Sequence, residues 1–148
     1  MTTVPRLSTE WIVAFTFRLT TDVNAGTCNI IHLSYRRRYE RVPAFFLSGD
    51  PTFDTLLIHS NYLDSSSKIS TTTADHTVVP NQPTRIEIHQ RYISGGRYRF
   101  FVIRDGEEIH SHVNEQVQQF YDVNVFASND WFPACPGYIS NFSLTNFL

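Results

Sequence analysis

The chain has 148 residues and carries 12 Lys and Arg against 14 Asp and Glu, so its net charge of −2 excludes a global pull on nucleic acid. Hydrophobic residues at 41% and charged residues at 18% exclude a disordered chain and predict one domain spanning residues 1–148. No apolar run approaches the ~18 residues that a spanning helix needs, so membrane insertion is not expected. The start, Met1-Thr-Thr-Val-Pro5, lacks the basic and apolar parts of a secretory leader. The chain is therefore read as cytosolic, or as a mature form given a start Met. Cys28 and Cys135 leave two readings open, a disulfide or two free thiols.

Twelve Phe, seven Tyr and two Trp favour sheets over helices, and the dominant hydrophobic period is two. Trp11, Val13, Phe15, Phe17 and Leu19 alternate with Ile12, Ala14, Thr16 and Arg18, the pattern of a half-buried strand. A turn cluster, Asp22 to Gly26, precedes a second strand over Asn29 to Tyr35. A basic run follows, then a short apolar strand over Val42 to Leu47, whose Pro43 suits its first residues or a sheet edge. After the turn at Ser48 to Pro51 come a strand at Thr55 to Asn61, a Ser-rich loop at Asp64 to Ser67, and a polar edge strand from Ile69 to Thr73. Beyond Pro80 to Pro83, residues 85–92 alternate again. Ser94-Gly-Gly96 and Asp105-Gly106 then mark hairpins flanking a return strand at Tyr98 to Arg104, with Glu108 to Val113 completing a meander. Phe120 to Ala127 is a further strand. A long loop over Ser128 to Gly137 leads into the last, Tyr138 to Leu148, whose length and alternation suggest pairing with the first. About ten short strands with turn signals every ~8–12 residues predict a two-sheet sandwich or a barrel.

The second half carries a recognisable layout. It runs through Thr84-Arg-Ile-Glu-Ile-His-Gln90, then Gly96-Arg-Tyr-Arg-Phe-Phe-Val-Ile-Arg-Asp-Gly-Glu-Glu-Ile109. Asn114 follows, then Val123-Asn-Val-Phe-Ala-Ser128 and Gly137-Tyr-Ile-Ser-Asn-Phe142. It resembles the concanavalin A-like lectin and glucanase superfamily in its laminin G-like and galectin-like branches. That resemblance implies an all-β, antiparallel jelly-roll sandwich of two sheets, with the last strand paired to the N-terminal one. His32-Leu-Ser-Tyr-Arg36 is similar to the sugar-contacting His-x-Asn-x-Arg strand of galectins, with Ser34 where that motif has Asn. Neither a Trp-Gly-x-Glu motif nor a Val-x-Asn strand follows in the expected place, so galactose specificity does not carry over. Parity adds to the resemblance: with Ile31, Leu33 and Tyr35 inward, His32, Ser34 and Arg36 point outward.

Other candidates are weighed against plainer roles. Arg36, Arg37, Arg38 and Arg41 either solvate a sheet edge or fork hydrogen bonds to an acidic sugar. His59 and Asn61 lie two apart and offer sugar hydroxyls both donors and acceptors, as does Asn124, which shares its face with Asp122. Asn129-Asp130-Trp131 combines an aromatic plate with two polar groups, or else covers the end of the sandwich together with Phe132, Pro133 and Pro136. A calcium ion has candidate oxygen ligands in Asp50, Asp54 and Asp130 but no loop motif, so no metal or cofactor is expected. His89, His110 and His112 invite a zinc reading, but the resemblance places all three on a solvated outer face. No catalytic carboxylate spacing, nucleophile elbow or phosphate-binding loop is present, so the domain is expected not to be an enzyme. The resulting expectation is a noncatalytic, extracellular carbohydrate-binding domain with glycan partners, using His32, Ser34, Arg36, Arg38, His59, Asn61, Asn124, Asn129, Asp130 and Trp131. Multivalency through a homo-oligomer is expected with it. The alternative is a laminin G-like protein-binding adhesion module whose arginines engage an acidic partner.

Overall fold

The computed structural model describes residues 2–23, 26–35, 42–50, 53–63, 69–128 and 132–147. The strands in chain order are β1 (Thr2–Leu7), β2 (Glu10–Leu19), β3 (Gly26–Ser34), β4 (Ala44–Asp50), β5 (Phe53–Leu63) and β6 (Ile69–Thr77). They continue as β7 (Thr84–Ser94), β8 (Arg97–Arg104), β9 (Glu107–Asn114), β10 (Phe120–Phe126) and β11 (Gly137–Phe147). No helix occurs among the described residues. All pairings between these strands are antiparallel and form two sheets, in the orders β1-β10-β3-β4-β5-β6 and β11-β2-β7-β8-β9. The all-β, two-sheet expectation holds, and the first long strand, β2, pairs with the last, β11, in register from Gly137↔Leu19 to Phe147↔Glu10.

The period-two pattern explains the core. Trp11, Val13, Phe15, Phe17 and Leu19 of β2 and Ile86 and Ile88 of β7 are buried, together with Phe100 and Val102 of β8. They meet Cys28, Ile30, Ile31 and Leu33 of β3, Phe45 and Leu47 of β4, and Val123 and Val125 of β10. Phe15 and Phe45 join the layers edge to face, with centroids 5.7 Å apart. Each such ring contributes roughly 1.5–3 kcal/mol by leaving water. Both Asp105 and Gly106 have positive φ (49° and 91°), which lets a two-residue turn match the strand twist and fixes the β8–β9 hairpin. Gly137 is required for a different reason: a Cβ there would strike the Arg18 carbonyl of β2, so only glycine lets β11 enter the sheet this closely.

Strand β1 was not foreseen. Its sequence, TTVPRL, has no alternation, and among its residues only Leu7 is buried. Backbone pairing with β10, from Thr2↔Val125 to Leu7↔Phe120, makes it a strand, and Pro5 is tolerated because β1 is an edge.

Candidate functional site

Backbone register brings several of the candidate residues onto one face of the six-stranded sheet. Ser34 of β3 lies opposite Asn124 of β10. The next outward row runs Phe126, His32, Ala44, His59 and Thr71 across β10, β3, β4, β5 and β6. A bulge between Asn29 and Ile31 absorbs one residue, so the row beyond pairs Asn29 with Phe46 and Phe46 with Leu57. Ile31 and Leu33 belong to the core, as parity requires, while His32 and Ser34 lie on the opposite face.

Exposure departs from expectation. His32 is 0% exposed and Ser34 is 3%, although both were expected on an open surface. Asn29, Ala44 and Phe46 on the same face are also buried. The His32 ring lies between Phe46 and Phe126, with centroids 6.4 and 6.2 Å away, and Phe132 packs on Phe46 at 5.1 Å. A second layer therefore covers the outward face between β3 and β4. Asn124 stays half-buried and accepts a hydrogen bond from the Thr3 hydroxyl (3.0 Å), so β1 supplies one wall of this surface.

The base of that second layer is fixed by Asn29. Its backbone N–H donates to Pro133 O (2.7 Å) and its carbonyl accepts from Cys135 N–H (2.9 Å), placing Ala134 as a parallel bridge beside β3. With its side-chain amide oriented so that both neighbours are satisfied, Asn29 donates to Phe45 O (3.1 Å) and accepts from Ser128 N–H (3.3 Å). One asparagine thus holds both ends of the connection between β10 and β11. Cys28 and Cys135 form a disulfide there, which resolves the two readings left open for them. Asn29, Phe46, Phe126 and Phe132 were not recognised as a unit. Their roles arise from contacts between segments about a hundred residues apart, which alternation along one strand does not encode.

The remaining candidates divide as follows. Arg36 and Arg38, with Arg37 and Arg41, lie outside the described residues, between Tyr35 and Val42. Asn129, Asp130 and Trp131 lie outside them too, between Ser128 and Phe132. The side chains of His59 and Asn61 are likewise outside the described part, as are those of Asp50 and Asp54. The described anchors are well separated: from Asn29, beside Pro133, to Tyr35 is six residues of strand, ~20 Å at the usual rise.

The histidine trio is corrected. His89 sits on the outer face of the five-stranded sheet, stacked on Phe101 (4.5 Å, 12°). His110 and His112 point the other way. Immediately after the hairpin Ile103 pairs with Glu108, but Val102 then pairs with His110, so Ile109 is an extra residue that reverses the parity of β9. His112 packs on inward-facing Phe100 (4.9 Å), and His110 Nε2 lies 2.9 Å from His112 Nδ1. Burial lowers the proton affinity of both, against the raising effect of Glu108 on His110; His112 falls to about 4 through burial and then its neighbour His110. Among the described residues no cluster of three or more His, Cys, Asp or Glu is arranged to hold a metal ion.

The expected two-sheet antiparallel sandwich, of the concanavalin A-like kind, is a fold that this chain shares with several solved structures. The chain is similar to a heptameric SAP-like pentraxin from Limulus polyphemus, with 13% identity and a TM-score of 0.63, over 97% of this chain and 66% of that one. It is similar to an endo-β-1,4-glucuronan lyase from Trichoderma reesei, with 13% identity and a TM-score of 0.63, over 96% of this chain and 70% of that one. It also resembles the alginate lyase Aly36B in complex with an alginate tetrasaccharide, with 8% identity and a TM-score of 0.62, over 98% of this chain and 72% of that one. The chain thus spans about two thirds of the length of these proteins. No family model and no curated protein matches the sequence. The lyases overturn the expectation of a non-enzyme: enzymes are built on this fold, and the motifs sought in the sequence belong to other chemistries.

Proposed function

We propose that this domain engages an anionic, uronate-type polysaccharide over the outward face of its six-stranded sheet. The observation that carries this reading is the register that sets half-buried Asn124 beside the end of β3, where the chain enters its arginine-rich stretch, and brings His59 onto the same sheet face, with the buried Ser34 and His32 supporting that surface from within. Amide, hydroxyl and imidazole groups suit sugar hydroxyls, and arginine forks suit carboxylates. Because the whole chain is slightly acidic, attraction to such a polymer has to come from that local cluster. Two of the similar structures are lyases of alginate and glucuronan, which supports an acidic polymer over a neutral one. The Cys28–Cys135 disulfide supports an oxidising, extracellular setting. A homo-oligomer is the route by which a shallow site of this kind gains avidity.

The test is titration of the protein with alginate and polyglucuronate, beside a neutral β-glucan, at low and high salt. Ultraviolet absorbance of unsaturated chain ends, followed in the same mixtures, reads cleavage. Binding to the acidic polymers that weakens steeply with salt supports the proposal. Equal binding to the neutral glucan, or none to any polymer, overturns it.

A further inference from the structure

Ile139 of β11 pairs with buried Phe17 of β2 and so shares the inward parity of the core, yet it is 38% exposed. The sandwich is open at this end. Ile139 borders a cavity of about 150 Å³ between the end of β2, the start of β3 and the start of β11. Phe17, Leu19 and Ile30, all buried, form its floor, while Ala127 and Ala134, both exposed, stand at its mouth. Asn29 also borders it, but its backbone N–H and carbonyl are engaged with Pro133 and Cys135, and its amide with Phe45 and Ser128. One charge remains. Arg18 lines the cavity with its guanidinium carbon 5.8 Å from the centroid of the exposed Tyr138 ring. No acidic side chain lines the cavity, and among the described residues no carboxylate pairs with Arg18.

We propose that this cavity is a ligand site separate from the sheet face, and that it takes a small aromatic carboxylate, the ring against the apolar floor and the carboxylate on Arg18. A cavity of this size walled by Leu, Ile and Phe holds about one benzene ring. The rings of Phe17 and Tyr138 add edge or offset contacts to a flat aromatic body. The exposed guanidinium exchanges a weak contact with Tyr138 for two parallel hydrogen bonds to a carboxylate. With one cation and no acid at the cavity, an anion is selected over its neutral isostere and a cation is rejected. The site rests on the cavity and Arg18 alone and does not need the polysaccharide reading.

The test is titration of the folded protein with benzoate, its neutral isostere benzamide and the cation benzylammonium. Binding is read from the methyl NMR signals of Ile30, Ile139, Ala127 and Ala134. Benzoate should shift these methyls with a Kd of about 1 mM, as suits a ligand of so few atoms. Benzamide should bind about tenfold more weakly, and benzylammonium should not bind. Arg18→Gln should weaken benzoate about tenfold, to the level of benzamide, and leave benzamide unchanged. Ala134→Leu and Ala127→Leu each put a larger apolar side chain into the mouth. Each should abolish binding of both probes with a melting temperature within a few degrees of the wild type, and the pair guards against one of them folding poorly. Methyl signals unmoved by benzoate at about 10 mM, well above that Kd, overturn the site. Binding that survives both leucine substitutions overturns it too. Benzamide or benzylammonium binding as tightly as benzoate overturns the role of Arg18 and with it the anionic class. A failed polymer titration, with the benzoate pattern intact, sinks the polysaccharide reading and leaves this site standing.

Discussion

The two sheets present outward faces of opposite character, although both follow from the same alternation. On the five-stranded sheet, Arg85, Glu87, His89 and Arg91 of β7 face outward and are partly exposed, and their neighbours answer their charges. Arg91 pairs with Glu10 (3.2 Å), Arg85 with Glu87 (3.5 Å), and Arg99 of β8 with Glu108 (2.6 Å). On the six-stranded sheet, the equivalent outward positions of β3 and β4 are buried under aromatic rings, with Asn29 and a disulfide holding the cover. Outward-facing and exposed are therefore different statements. Parity fixes the first, and only tertiary packing decides the second.

The largest test of this contrast is the disulfide. It closes a loop with a sequence separation of 107, so removing it frees much unfolded-chain entropy as well as the cover's base. Cys28→Ala/Cys135→Ala should cost roughly 2–5 kcal/mol, read from urea or thermal unfolding. A loss below about 1 kcal/mol would mean that the cover is held by its backbone bonds alone.

A histidine on each face sharpens the comparison. His32→Ala should cost about 2–4 kcal/mol, because it empties a site packed between two rings. His89→Ala should cost about 1 kcal/mol, since its stacking partner Phe101 stays in place on a partly solvated face. Equal costs in denaturant unfolding would remove the distinction between the two faces.

What the sequence made legible follows the same division. The core strands β2, β7, β8 and β10 and the Asp105-Gly106 turn were readable because each announces itself within about ten residues. Strand β1 was not, because its pairing with β10 is carried by backbone atoms that every residue possesses. The inward turn of His110 and His112 was hidden by one bulged residue, Ile109, which no composition signal marks. For the candidate site, the outward parity of His32 and Ser34 was legible and their burial was not. Burial depends on Phe132 and Asn29 meeting across the fold.

The bulge also makes a pH prediction. The His112 proton affinity lies near 4 in the folded protein, against 6.5 for an unhindered imidazole, because burial opposes the charge. As pH falls from 6.5 towards 4, the unfolded chain takes up a proton that the native chain refuses, so stability falls across that window. Above 6.5 neither state is protonated and this contribution is fully present; below about 4 both are, and nothing further is lost. His112→Gln should flatten this part of the melting-temperature profile. A profile unchanged by His112→Gln would assign the acid sensitivity elsewhere.

The smallest effect belongs to the solvated face. Arg99 donates to both carboxylate oxygens of Glu108 (2.6 and 2.8 Å) and lies over Phe101, the best-formed ion pair on the five-stranded sheet. Both partners remain well exposed, so water and salt screen them. Glu108→Gln should therefore cost no more than about 1 kcal/mol, shrinking further at high salt. It leaves Arg99 its ring contact and its hydrogen bond to Ser111 (2.9 Å). A larger, salt-independent loss would show that this face, too, behaves as a packed layer, and the contrast with the covered sheet would then lie in chemistry alone.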